Sequence, residues 1–388
     1  MSTTLIQAGL ALTPTAEIQD AGILIREGVI ETVGPRKGIT LPAGAQEIRA
    51  PDKTAIPGFI DVHIHGAGGH DVMEADKAAL SAVTKKVAEF GTTSLLATTV
   101  TASPDDTCRA VERIAQYIPQ QHASLPSGAE IIGIHFEGPF ISKERRGVHP
   151  PQWIQLPSAE LLERFLQAAA GNARLMTIAP EVLGATQCIE AAQKAGVVIS
   201  IGHTNANYEQ ARMAIAHGAR SATHTYNAMR PFTHRDPGVI GAVLTSPEIN
   251  AELIADGVHV AEAAMKMLLQ AKGSERVILV SDGLSATGMP DGKYMLGDFE
   301  VTVSNGVCRN AAGVLAGSTL TLDRALRNIL NLGVPLAEAV RMLTLNPASL
   351  LGIEFKKGSL RAGADADVLL LDAGLRVTNV WARGCALN

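Results

Sequence analysis

The sequence lacks the long basic runs that are typical of nucleic-acid-binding proteins. Its longest clusters of Lys and Arg are short stretches such as ERR and KK, and 33 basic against 38 acidic residues give a net charge of −5. This balance argues against nucleic acid as a partner. Nowhere do about 18 apolar residues run together, and no basic segment precedes an apolar stretch near the N-terminus. We therefore expect a cytoplasmic protein without a membrane partner.

Cysteine is also scarce, and its spacing excludes two classes of site. The four cysteines are scattered without a CxxC pair, at Cys108, Cys188, Cys308 and Cys385. Neither a disulfide framework nor a thiolate zinc site fits this spacing. Any bound metal must therefore be held by nitrogen and oxygen ligands.

What the chain does contain is enough apolar residues for a large core. Hydrophobic residues make up 46% of the sequence and charged residues 18%, which is typical of a folded protein. A length of 388 residues allows one barrel of roughly 250 residues with an accessory unit.

The middle of the chain repeats one pattern, in which a short aliphatic run is followed by a longer stretch rich in Ala, Leu, Glu and Lys. This alternation predicts a parallel α/β sheet. Helices are expected in stretches such as SAELLERFLQAAAG and YEQARMAIAHG. The count of strands predicts a (β/α)8 TIM-like barrel, and the eight candidates are 58–64, 92–98, 130–136, 174–180, 197–203, 221–226, 250–256 and 276–282.

The two chain ends have a different pattern of short strands and turns. Neither end has enough apolar surface to stand alone, so we expect both to pair into one small β-sandwich. The predicted division is 1–56 with 355–388 for the sandwich and 57–354 for the barrel.

Polar residues recur where the predicted barrel strands end. His63 and His65 are two apart, so in a strand they point to the same face and can approach one ion. The other members of this set are Glu137, His203, His224, Asp256, His259 and Asp282. Since the active site of such a barrel lies at the C-terminal ends of its strands, these imidazoles and carboxylates predict a site for Zn²⁺, Fe²⁺ or a similar ion.

The combination of a metal barrel with a sandwich from both chain ends resembles the amidohydrolase superfamily. Many members bridge two metals with a carboxylated lysine at the end of strand four, but the corresponding stretch here, RLMTIAPE, has no lysine. Glu137 of HFEGPF would supply the carboxylate instead.

Five stretches in order narrow the resemblance to the N-acetylglucosamine-6-phosphate deacetylase family. They are IHFEGPFISKERRGVHPP (134–151), SIGHTNANYEQA (200–211), ATHTYNAMRPFTHRDPG (222–238), IADGVHV (254–260) and SDGLSATGMPDG (281–292). The resemblance implies that Glu137, His203 and His224 hold the catalytic metal. It also implies that Asp282 is the general base and acid and that His149 polarises the substrate carbonyl.

The same resemblance implies how the sugar phosphate is held. The implied contact residues are Val148, Asn227, Ala228, Arg235, His259, Leu315, Ala316 and Gly317. In the resembling family the arginine reaches the phosphate of the neighbouring subunit, so a homodimer is expected. An ordinary surface arginine paired with Asp236 is the alternative reading of Arg235.

Three questions stay open at the level of sequence. His63 and His65 are either ligands of a second divalent ion or groups that support the first, so one or two ions are expected. Zn²⁺ and Fe²⁺ accept the same ligands. The substrate is either N-acetylglucosamine 6-phosphate or its galactosamine epimer, and another amidohydrolase activity is a further alternative.

Overall fold

A computed structural model of the chain describes residues 3–387. The strands within these residues are β1 (Thr4–Leu12), β2 (Glu17–Arg26), β3 (Val29–Pro35), β4 (Gln46–Pro57), β5 (Phe59–Ile64), β6 (Gly66–Ala67), β7 (His70–Asp71), β8 (Thr92–Thr99), β9 (Glu130–Glu137), β10 (Ala173–Ile178), β11 (Val198–Ile201), β12 (Ser221–Ala222), β13 (Asn250–Leu253), β14 (Val277–Leu279), β15 (Gly292–Leu296), β16 (Phe299–Ser304), β17 (Val307–Asn310), β18 (Val368–Leu371), β19 (Val377–Ala382) and β20 (Cys385–Ala386).

The α-helices lie mainly between the strands of the middle region. They are α1 (Lys77–Ala88), α2 (Pro104–His122), α3 (Ala159–Ala169), α4 (Ala185–Lys194), α5 (Tyr208–Ala216), α6 (Gly238–Thr245), α7 (Glu262–Lys272), α8 (Leu322–Asn331), α9 (Leu336–Leu343) and α10 (Leu345–Leu350). The predicted N-termini have local causes: the Ser158 side chain caps α3, and Asn207 forms a capping box with Gln210 at α5.

Eight parallel strands form the central sheet, in the order β14-β13-β12-β11-β10-β9-β8-β5. A parallel bridge between Ile64 and Gly283 joins its two edges, and the Asp282 N–H donates to the His63 carbonyl over 2.9 Å. All eight residues of β8 are buried, as expected for a sheet covered on both faces. The predicted TIM-like barrel is confirmed.

The sixth predicted strand, 221–226, is wrong in length. Only Ser221–Ala222 pairs with its neighbours, and the chain then leaves the sheet, with φ of 31° at His224 and 81° at Tyr226. An extended strand cannot contain positive φ angles, so the polar residues that follow Ala222 form a turn. The three-stranded sheet β15-β16-β17, which follows strand eight of the barrel, is a further element that the strand pattern did not predict.

Both chain ends meet in one seven-stranded sheet of order β20-β19-β18-β4-β1-β2-β3, in which the β1–β4 pair is parallel and the others are antiparallel. The Ile30 N–H donates to the Ala364 carbonyl, so the β2–β3 end of the sheet folds back onto the segment before β18. Ile23 from one half and Trp381 from the other pack into the same apolar core. This is the accessory unit expected from the two termini.

The barrel follows this sheet almost without a connection, since only Gly58 lies between β4 and β5. The division at residues 57 and 355 therefore stays a prediction. Over residues 3–387, no α-helix is both long enough and apolar enough to cross a bilayer.

Candidate metal centre and active site

A cavity of about 200 Å³ opens at the C-terminal ends of the barrel strands. The predicted site residues that line it are His65, Glu137, Val148, His149, His203, His224, Asn227, Ala228, His259, Asp282, Leu315 and Gly317. These residues come from separate barrel strands and loops, and the barrel brings them to one place. Ala316 is buried and packs beside Leu296 instead of lining the cavity.

Glu137, at the end of β9, occupies the centre of the site. Its Oε1 lies 3.2 Å from His203 Nε2, 3.1 Å from His224 Nε2 and 3.3 Å from His63 Nε2. Its Oε2 lies 3.2 Å from His65 Nε2 and 3.3 Å from His149 Nε2. One buried carboxylate thus faces five imidazoles.

The ligand atoms fall into two groups, each compact enough to hold one ion. Glu137, His203 and His224 form the first triad, and His63, His65 and Asp282 form the second triad; within each, the ligand atoms all lie within 4.8 Å of one another. Glu137 also lies between the triads, because its two oxygens contact members of both.

In three of the histidines, a hydrogen bond at Nδ1 determines which ring nitrogen carries the hydrogen. His65 Nδ1 lies 3.0 Å from the Thr98 carbonyl, and His203 Nδ1 lies 2.9 Å from the Arg145 carbonyl. His63 Nδ1 lies 3.2 Å from a carboxylate oxygen of Glu252. Since these partners only accept, each Nδ1 carries the hydrogen, and each Nε2 lone pair faces the site as a metal ligand requires.

His149 has the opposite arrangement. The Thr101 backbone N–H donates to His149 Nδ1 over 3.2 Å, so in the neutral imidazole the hydrogen is on Nε2. His149 therefore offers a hydrogen-bond donor to the cavity. This suits a group that polarises a carbonyl oxygen rather than a metal ligand.

The charges of the site favour a bound cation. Burial alone would lower the pKa of His65, but Asp282 and Glu137 raise it to about 9. Burial would raise the pKa of Asp282, yet His63 and His65 lower it to about 2. The carboxylates thus stabilise positive charge here, and a divalent ion supplies such charge without protonating the imidazoles.

The donor set fits a divalent ion in a further respect. His63 Nε2 is buried and has no hydrogen-bond partner within residues 3–387, although carboxylate oxygens of Glu137 and Asp282 lie at 3.3 and 3.5 Å. A buried nitrogen without a hydrogen bond is costly unless a metal takes its lone pair. Imidazole nitrogens with carboxylate oxygens are ligands that Zn²⁺ and Fe²⁺ accept.

The substrate side of the cavity contains the remaining predicted residues. His259 Nδ1 lies 2.7 Å from Asp256 Oδ2, and this carboxylate orients the ring. Although burial lowers the pKa of His259, the hydrogen bond and charge of Asp256 raise it above its usual value. The raised pKa favours the protonated form of this imidazole, and that form suits an anionic substrate group.

Arg235 lies outside the cavity of its own chain and is exposed. The alternative pairing with Asp236 is wrong, because Asp236 accepts from Arg230 Nε and Nη2. Among residues 3–387, Arg235 has no hydrogen-bond or ion-pair partner, whereas the neighbouring Arg230 pairs with Asp236.

Several residues of the site were not predicted from the sequence. Val100, Leu296 and Val314 line the cavity with apolar surface, and Gly147 borders His203. Glu252, below the cavity, contacts His63. A glutamate within the apolar strand NAEL was a signal that could have identified Glu252, since such strands rarely bury an unpaired carboxylate.

Comparisons with known proteins show which family the chain is similar to. Residues 54–386 match the profile of the Amidohydrolase family. The N-acetylglucosamine-6-phosphate deacetylase of Vibrio furnissii is 38% identical over 372 residues, with 94% of this chain and 90% of the relative covered. The N-acetylgalactosamine-6-phosphate deacetylase of Escherichia coli O157:H7 is 37% identical, with 98% of each chain covered.

The solved structures include a mutant of the Mycobacterium smegmatis N-acetyl-D-glucosamine-6-phosphate deacetylase in complex with N-acetyl-D-glucosamine-6-phosphate. It superposes with a TM-score of 0.92 at 37% identity and covers 100% of both chains. The barrel, the sheet from both termini and the profile match over most of the chain establish that this protein belongs to the amidohydrolase family.

Proposed function

We propose that the protein hydrolyses the acetamide of N-acetyl-D-glucosamine 6-phosphate to D-glucosamine 6-phosphate and acetate, as a step of amino-sugar catabolism. The observation that carries this proposal is the first triad next to Asp282 and His149 in one cavity. Similarity to deacetylases along nearly the whole chain supports the substrate class.

Glu137, His203 and His224 would hold the catalytic ion, Zn²⁺ or Fe²⁺, and His63, His65 and Asp282 would hold a second ion. When bound, a divalent ion supplies Lewis-acid polarisation of the acetamide carbonyl and lowers the pKa of bound water to about 7. The two triads with Glu137 between them support two ions rather than one.

Asp282 would act as the general base and then as the general acid. Its carboxylate lines the cavity and is held 3.4 Å from His65 Nε2 and 3.5 Å from His63 Nε2. With a pKa of about 2, the group is ionised at neutral pH and can accept a proton from water. The proton is then donated to the nitrogen of the departing amino sugar.

His149 would stabilise the developing charge on the carbonyl oxygen. Its Nε2 hydrogen is fixed by the Thr101 N–H at Nδ1, and the ring is buried against Glu137. A donor whose direction is set before the reaction needs no rearrangement when charge appears on the oxygen.

Binding of the sugar phosphate would involve Val148, Asn227, Ala228, His259, Leu315 and Gly317. Arg235 would reach the phosphate bound in the neighbouring subunit, which makes the homodimer part of the proposal. Support comes from its exposure and from its absence among the residues that line its own cavity. The cytoplasmic location stays a prediction.

The decisive experiment measures acetate release from four compounds: N-acetylglucosamine 6-phosphate, its galactosamine epimer, and the two unphosphorylated sugars. We expect the highest kcat/KM for the glucosamine phosphate, and chelation should abolish turnover. A higher kcat/KM for the galactosamine phosphate would favour the alternative substrate, for which the E. coli relative is the specific support. No acetate from any of the four compounds would refute the proposed activity.

The role of Arg235 is tested by Arg235→Ala, with the exposed Arg26→Ala on the terminal sheet as control. Arg suits a phosphate because its planar guanidinium donates two parallel hydrogen bonds. We expect kcat/KM for the phosphorylated sugar to fall at least about 10-fold, with little change for the unphosphorylated sugar. Equal losses on both sugars would assign Arg235 to the fold or the chemistry instead.

A further inference from the structure

Glu252 lies below the cavity on β13, and its side chain is fully buried. One carboxylate oxygen, Oε2, lies 3.2 Å from His63 Nδ1 and 3.4 Å from the His224 backbone nitrogen. The other, Oε1, accepts from the Ser221 hydroxyl over 3.1 Å. Glu252 therefore contacts one residue of each triad without lining the cavity itself.

We propose that Glu252 is a positioning residue that selects and orients His63 as a ligand of the second ion and links the two triads through His224. This inference rests on the proposed function, because it assumes that the triads hold divalent ions. It goes further by assigning the control of the second ion to a residue outside both triads.

The physical reason begins with the imidazole of His63. A neutral imidazole carries its hydrogen on either ring nitrogen, and only the form with the hydrogen on Nδ1 leaves Nε2 free for a metal. The carboxylate of Glu252 accepts that hydrogen and so favours the binding form. The edge-on packing of the His135 ring, with centroids 4.8 Å apart, further restricts the His63 ring plane.

His65 shows the contrast. Its Nδ1 faces the Thr98 backbone carbonyl, which is neutral and belongs to β8. Glu252 instead supplies a charged acceptor, and hydrogen bonds to charged groups are about twice as strong as neutral ones. Binding of the second ion therefore depends on the Glu252 side chain, which can be substituted, whereas the Thr98 backbone carbonyl cannot be removed by substitution.

Glu252 also holds the turn that presents His224. In addition to the side-chain contact with the His224 N–H, the Glu252 carbonyl accepts from the Thr225 N–H over 2.9 Å. His224 has a φ of 31°, a conformation that needs support from its surroundings. Removing the carboxylate should thus affect the first ion as well, but less, since the backbone bond at Thr225 remains.

The test is a metal titration of Glu252→Gln against the wild-type protein. Both are loaded with Zn²⁺ and dialysed against increasing concentrations of a chelator, and zinc per chain is measured by elemental analysis. Wild type should retain two ions of different affinity. Glu252→Gln should bind one of them about 10- to 100-fold more weakly, the usual effect of losing a group that orients a ligand.

Ser221→Ala is the matched control, because it removes a contact to the same carboxylate while leaving the His63 bond in place. Its effect on either ion should be less than about 3-fold. If Glu252→Gln does not fold, Glu252→Asp withdraws the carboxylate by one methylene and should weaken the same ion.

Combining Glu252→Gln with His63→Asn distinguishes a positioning role of Glu252 from a general role in folding. His63→Asn should abolish binding of the same ion, and adding Glu252→Gln to it should cause only the smaller weakening of the first ion that is expected through His224. A further equal loss in that background would overturn the inference, as would unchanged zinc affinities in Glu252→Gln or a wild type that binds a single ion. Full acetate release by zinc-free wild type would instead refute the proposed metal chemistry.

Discussion

The two ends of β9 carry the same residue type in opposite circumstances. Glu130 begins the strand at the base of the barrel, and Glu137 ends it at the mouth; both side chains are buried. At the base, Glu130 lies 2.8 Å from the ammonium group of Lys357. At the mouth, Glu137 faces imidazoles and has no Lys or Arg partner among residues 3–387.

The base cluster pairs its negative charges with the ammonium group of Lys357. Lys357 Nζ lies 2.8 Å from Glu130, 2.9 Å from Asp365 and 2.9 Å from Asp367, and it donates a hydrogen bond to Asp367. Burial would lower the pKa of Lys357, but Asp367 and Glu130 raise it well above its usual value. This cluster ties the segment before β18 to the start of β9.

The mouth cluster differs because its carboxylates face imidazoles and pair with no Lys or Arg among residues 3–387. His63 Nε2 has no hydrogen-bond partner within residues 3–387, and the carboxylates around it raise the pKa values of both His63 and His65 despite burial. The comparison teaches that burial of a charge does not identify a functional site. A functional site is identified instead by several imidazole and carboxylate lone pairs that are directed at one point.

The largest expected effect is that of Glu137→Gln. An amide in this position removes the charge that holds the cation, and Lewis-acid stabilisation of about 5 kcal/mol corresponds to roughly 10⁴-fold in rate. We expect kcat to fall by at least about 10⁴-fold, with loss of zinc measured by elemental analysis. Glu130→Gln is the control at the other end of β9, and its folded fraction should keep the specific activity of the wild type. Full zinc occupancy in Glu137→Gln would contradict the assignment of Glu137 as a metal ligand.

Asp282→Asn is expected to have a somewhat smaller effect. The amide cannot accept the proton from water, so kcat should fall about 10²- to 10⁴-fold while the protein still folds and binds substrate. The ion at the first triad should remain, because Asp282 belongs to the second. Steady-state kinetics with zinc analysis measure this, and near-normal kcat would mean that another group is the base.

Unlike the substitutions at the mouth of the barrel, Lys357→Met should lower the stability of the fold and leave the activity unchanged. Removing the ammonium leaves the buried carboxylates of Glu130 and Asp367 and the half-buried one of Asp365 without their partner. Breaking a buried ion pair in this way costs about 3–5 kcal/mol. Urea denaturation should show the loss, and kcat per folded molecule should stay unchanged. If Lys357→Met retains wild-type stability, the base cluster does not stabilise the fold.

The smallest expected effect is a pH dependence of the metal-free protein. The pKa of His65 is raised from its usual 6.5 to about 9 in the folded state, so its protonation stabilises the fold fully below pH 6.5. That contribution, up to about 3 kcal/mol, is lost as the pH rises through about 9. Thermal denaturation after chelation should detect this loss of stability between about pH 6.5 and 9, and His65→Asn should reduce it. The base cluster should not contribute to this pH dependence, since the pKa of Lys357 is raised above this range.

The residue pattern alone was enough to predict the barrel and the imidazoles and carboxylates at its mouth, whereas His149 and most of the substrate contacts came from the family resemblance. Strand runs such as TTSLLAT and EIIGIHF are buried on both faces, and this pattern depends on local residues only. Because parallel strands place their C-terminal ends together, polar residues at those ends predict one site without any knowledge of distances. His63, His65 and Asp282 were identified for this reason.

The tertiary structure decided what depends on partners distant in the chain. A run such as SATHTY looks like a strand, but its polar half turns out of the sheet at His224, which places that imidazole against Glu137. The tautomers of His63 and His149 are set by Glu252 and Thr101, which lie 189 and 48 residues away. Residue type and spacing therefore determined which groups reach the mouth of the barrel, and three-dimensional contacts determined which of them offer a lone pair and which a hydrogen.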